Sequence, residues 1–141
     1  MILEEEFNRP DKTPSFIGAY KVSDFICDKI IDFFESNPNR HADGSIDGGV
    51  DKKAKDSTDL TLYPGEEVFD EYMAEIWQLM NQYTEEYGYA GYYGRWTSGV
   101  INMQKYKPGQ GFHVWHTERT GAIEPMVSRH LVFMTYLDDV S

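Results

Sequence analysis

A chain of 141 residues that is 40% hydrophobic and 15% aromatic suits one domain, residues 1–141, with one core, and is globular rather than disordered. Its net charge of −11 opposes attachment to a nucleic-acid backbone or an anionic membrane, and no basic cluster offsets it. No apolar run approaches the ~20 residues of a membrane span, and the opening Met1 to Phe7 carries acids where a signal peptide is basic and then apolar, so a cytoplasmic location is expected. The lone Cys27 sits on an apolar pattern and reads as a small core residue, not a nucleophile.

In chain order, Ser23 is placed to cap a helix carrying Phe25, Ile26, Ile30, Ile31, Phe33 and Phe34, which Asn37 and Pro38 then stop. Residues 40–58, with Gly44, Gly48, Gly49 and alternating Asp and Lys, lack periodicity and read as a long mobile loop, either a passive surface or a lid. A short extended segment, Thr58 to Leu62, follows. A second helix is expected after Pro64 and Gly65, with Glu66 and Glu67 near its start and Phe69, Met73, Ile76, Trp77, Met80 and Tyr83 at helical spacing. The tyrosine- and glycine-rich stretch from Tyr87 to Trp96 reads equally as the lining of a groove or as a hairpin packed on a sheet.

Beyond Gly99 the pattern becomes strand-like: Val100 to Tyr106, a turn at Pro108 to Gly111, Phe112 to Glu118, and Arg129 to Leu137. Helices followed by strands predict an α+β fold. Two-residue alternation puts Phe112, Val114, His116 and Glu118 on one face and His113, Trp115 and Thr117 on the other. It also groups Asn102 and Gln104 with Tyr106, and His130, Val132 and Met134 with Tyr136. An imidazole and a carboxylate two residues apart form the proximal part of a two-His-one-carboxylate triad, which leaves positions on non-heme Fe(II) open. The third ligand should be a later histidine. From Glu118 onward there is only His130, for which a supporting or core role is favoured over coordination. Packing against the helices is expected of Trp115 and solvation of Arg119, while His113 faces away from the pair and His41 belongs to no motif.

Taken together, Tyr106, the interval of ten residues to His116, the His116-Thr117-Glu118 pair, and Arg129 leading into an apolar strand ending Tyr136-Leu137-Asp138-Asp139 resemble the Fe(II)/2-oxoglutarate-dependent dioxygenases of the prolyl-4-hydroxylase-like group. The resemblance is strongest over residues 99–140. It implies a double-stranded β-helix, of jelly-roll or cupin type, with a helical buttress over about 15–90 and β-helix strands over about 99–141. It further implies Fe(II) held by His116 and Glu118, 2-oxoglutarate held by Tyr106 and Tyr136, ascorbate as an accessory, and hydroxylation of a peptidyl (prolyl-like) or small-molecule substrate. Glu118 stands where the family more often has Asp. The family's Gly-Gly-Glu-Thr-like turn, distal His and cationic clamp for 2-oxoglutarate have no counterpart here, so the expectation is an N-terminal part of such a domain that is inactive alone. The alternatives are a non-catalytic jelly-roll module binding a peptide or sugar, and a fragment without independent function.

Overall fold

The computed structural model describes residues 15–91, 96–119, 121 and 123–138. Helix α1, Asp24–Ser36, starts where Ser23 Oγ accepts from the Ile26 amide at 3.4 Å, and it buries Ile26, Ile30 and Phe34, one residue per turn along a single stripe. Helix α2, Glu67–Glu86, buries Val68, Phe69, Tyr72, Met73 and Ile76 at the same periodicity. Glu75 of α2 accepts from the Ser23 amide at 2.6 Å and from its hydroxyl at 2.8 Å, so one carboxylate ties the second helix to the first helix's N-terminus. Cys27 is half-buried against this core, and burial raises its thiol pKa, as fits a packing residue.

Five short strands complete the described fold: β1 (Ala42–Asp43), β2 (Lys55–Asp56), β3 (Thr58–Leu62), β4 (Ile101–Lys105) and β5 (Gly111–Phe112). One antiparallel sheet has the order β1-β3-β4, with Leu60 opposite Met103 and Leu62 opposite Ile101. Leu60, Leu62 and Met103 belong to the same buried cluster as the helix stripes, so this face of the sheet lies under the helices. The pleat sends Asp59, Thr61, Asn102 and Gln104 to the other face, where the Asn102 amide donates to Asp59 at 2.9 Å. A second ladder pairs β2 with β5, Lys55 opposite Phe112 and Asp56 opposite Gly111. The fold is thus α+β, and no described helix is long and apolar enough to cross a membrane.

Several expectations are corrected. The segment 40–58 is pinned near both ends, by β1 on β3 and by β2 on β5, because backbone pairing supplies an order that side-chain periodicity does not show. Residues Gly88–Gly91 form a helical turn, α3, not a hairpin arm, while residues 92–95 of that stretch lie outside the described residues. The strand expected over Phe112 to Glu118 ends at Phe112, and Arg129 to Leu137 forms no strand. Beyond His113, neither segment has a strand partner among the described residues, and without one the backbone has no ladder to join. The alternation survives in the second of them: Tyr72 Oη meets Thr135 Oγ1 at 2.6 Å and Leu137 packs on the core, whereas Val132, Met134 and Tyr136 are exposed. Trp115, expected to pack, is fully exposed.

Candidate functional site

The site is built on the chain leaving β5. Gly109 takes φ +87, a left-handed conformation that suits glycine, and the Gln110 amide donates to Lys107 carbonyl at 2.9 Å, closing the turn that returns the chain from β4. The His113 amide then donates to Ala54 carbonyl at 2.8 Å, extending the grip of β2 by one residue. From there His116 folds back so that its ring stacks on Phe112, centroids 4.1 Å apart and planes 10° from parallel. His116 Nε2 lies 3.2 Å from Glu118 Oε1, and its other nitrogen, Nδ1, lies 3.3 Å from Val114 carbonyl. With Nε2–H the contact is a hydrogen bond from the imidazole to the carboxylate; with Nδ1–H donating to the Val114 carbonyl, Nε2 offers a lone pair that a cation between the two groups can take.

These distances suit a metal. A divalent ion about 2.1 Å from each of two donors at a right angle holds those donors about 3.0 Å apart, close to the observed separation. Both side chains are 44% exposed, so other faces of such an ion are open to further ligands. The second oxygen of Glu118 is engaged differently. Arg129 Nη1 donates to Glu118 Oε2 at 3.2 Å and to the Glu118 carbonyl at 3.0 Å, which fixes the carboxylate's orientation and leaves Oε1 toward His116. A shallow cavity of about 300 Å³ adjoins the pair, lined by Thr117, Glu118, Arg119, Arg129, His130 and Val132. Arg119 Nε donates to Val127 carbonyl at 2.7 Å, and the exposed His130 stacks on Trp96. No group of three His, Cys, Asp or Glu side chains suited to a metal occurs among the described residues.

The two tyrosines are placed less closely. Tyr106 continues the polar sheet face and donates to Gln104 Oε1 at 2.6 Å. Burial raises its phenol pKa, with the Asp59 carboxylate adding to the shift and Ser57 opposing it. Tyr136 is 72% exposed. Among the described residues no hydrogen bond or ring contact joins either tyrosine to His116 or Glu118. His113 is exposed and takes no part in the pair, and His41, assigned no role from sequence, stacks on Phe34 at 4.2 Å.

Sequence reasoning missed two features. One is Arg129 as the partner of Glu118, for which eleven residues of separation gave no signal. The other is a buried polar cluster in the presumed loop: Lys55 Nζ to Asp59 Oδ2 at 2.6 Å and Ser57 Oγ to Asp59 Oδ1 at 2.6 Å. Its alternating positions, 55, 57 and 59, run into β3 and were a detectable signal. Comparison with protein-family models, curated proteins and solved structures returns no match for this chain.

Proposed function

We propose that this chain carries the metal-binding pair of an Fe(II)- and 2-oxoglutarate-dependent dioxygenase of the prolyl-4-hydroxylase-like group, acting on a peptidyl or small-molecule C–H bond, in a domain of double-stranded β-helix architecture. The observation that carries this reading is the opposition of His116 Nε2 and Glu118 Oε1 at 3.2 Å with the remaining atoms of both side chains held elsewhere. Fe(II) with 2-oxoglutarate supplies, when bound, the oxidising power for hydroxylation. The chain's own part would be to present His116 Nε2 and Glu118 Oε1 side by side to the metal, to hold the other Glu118 oxygen on Arg129, and to leave the opposite side accessible. In this reading Tyr106 and Tyr136 hold the cosubstrate, with Tyr136 donating to its distal carboxylate.

Titration with Mn(II), a redox-stable stand-in for Fe(II), tests the pair. His116→Ala should abolish binding and His113→Ala should leave it nearly unchanged, and the chain alone should form no succinate from 2-oxoglutarate with Fe(II) and ascorbate. Equal loss in both variants would refute the pairing of His116 with Glu118. Absence of Mn(II) binding by the unaltered chain would leave these residues an ion pair on the surface of a binding module.

A further inference from the structure

Ammonium groups are seldom buried, yet Lys55 is only 3% exposed. Its partner Asp59 is 8% exposed and takes three donors: Lys55 Nζ at 2.6 Å, Ser57 Oγ at 2.6 Å and Asn102 Nδ2 at 2.9 Å. Gly44 covers the cluster. A Cβ there would stand 2.1 Å from Ser57 Oγ and 3.1 Å from Lys55 Cε, so only glycine lets the chain come this close. A buried ion pair of this kind contributes little net stability, because desolvation offsets the attraction. Its position suggests another use.

Lys55 is paired with Phe112 across the β2–β5 ladder, and its Nζ sits 5.7 Å from the Phe112 ring centroid, within cation–π range. The same ring is partnered by His116, stacked nearly parallel at 4.1 Å. A continuous series of contacts therefore runs from Asp59 through Lys55 and Phe112 to the imidazole. Resting on the metal-pair reading above, we propose that Lys55 is a positioning residue for His116, acting through Phe112, with Asp59 and Ser57 fixing the ammonium. The ammonium, held by Asp59, restrains the Phe112 ring, and the ring restrains the rotation of His116 that would carry Nε2 away from Glu118.

The test uses the full chain and the double variant Lys55→Met/Asp59→Asn, which removes both charges together and so leaves no unpaired buried ion. Two quantities are read: the Mn(II) dissociation constant, and the NMR shifts of the His116 ring protons in the metal-free chain, which lie in the ring current of Phe112. The dissociation constant should rise roughly 10- to 100-fold, the usual effect of removing a group that orients a ligand. The His116 protons should move downfield, toward their position in Phe112→Leu. Either quantity at its wild-type value in a cooperatively folding double variant overturns the proposal. If the unaltered chain binds no Mn(II), the metal reading fails, and the His116 shift alone then decides whether Lys55 positions the ring. Should the double variant not fold, Phe112→Leu is scored on its Mn(II) affinity, with no loss overturning the proposal.

Discussion

Residues 15–91 and residues 111–138 use the same kinds of side chain to opposite effect. In the first region Ile26, Ile30, Phe34, Leu60, Leu62 and Phe69 interlock in one buried cluster. In the second, Trp115, Ile123, Val132, Met134 and Tyr136 stand largely exposed, although the chain is no less apolar there. The difference lies in partners. Helices α1 and α2 of the first region meet each other and a sheet face, whereas the described residues of the second region have one two-residue ladder and otherwise borrow contacts, such as Thr135 on Tyr72. Hydrophobic side chains stabilise only when a neighbouring element covers them.

The widest contrast should appear on truncation. Leu62 is fully buried, so Leu62→Ala should cost about 2–5 kcal/mol, as removal of a core leucine does. Met134→Ala in the second region, where Met134 is 73% exposed, should change stability by less than about 0.5 kcal/mol. Urea unfolding of both variants measures this. A comparable loss in the two would mean that the second region is covered in solution.

The same contrast explains what could be read from sequence. Helices α1 and α2, strands β3 and β4 and the turn at Gly109 were visible because their signals are local: a cap at Ser23, apolar residues at helical spacing, and glycine with proline at a turn. Alternation put His116 and Glu118 on one face of a strand that ends at Phe112, and the two side chains meet instead where the chain folds back beyond it. The pairing of Lys55 with Phe112 and the engagement of Glu118 by Arg129 link positions far apart in the chain, and periodicity names a face without naming its partner. For that reason the loop over 40–58 was read as free when its ends are paired, and Trp115 as packed when nothing covers it.

A middle-sized effect separates orientation from folding in the second region. Arg129→Gln removes the guanidinium from Glu118 Oε2 and its carbonyl while altering no buried contact, since the pair's side chains are 45% and 44% exposed. Mn(II) affinity should fall roughly tenfold, toward the lower limit for a group one step removed from a metal, and the unfolding midpoint should barely shift. A large loss of stability with unchanged metal affinity would make Arg129 structural.

The smallest effect compares two Arg–Glu pairs. In the first region Arg40 grips Glu66 with both terminal nitrogens, at 2.5 and 3.1 Å, and also donates to Thr61 carbonyl, while Glu66 accepts from the Tyr63 amide. The Arg40 guanidinium first, and the Tyr63 amide after it, hold the Glu66 carboxyl below its ordinary value of 4.5. A carboxylate whose pKa is depressed on folding binds its proton more readily in the unfolded chain. Its stabilisation is therefore complete above the ordinary range and is lost as pH falls through the folded value. The difference in stability between the unaltered chain and Glu66→Gln should be about 1 kcal/mol near neutrality and should shrink as the pH drops below 4.5. Glu118→Gln, in a looser and more exposed pair, should cost less at neutral pH. Urea unfolding at constant ionic strength across that acid range measures both, and a difference for Glu66→Gln that stayed constant on acidification would show that the pair holds the two ends of the core by shape instead of charge.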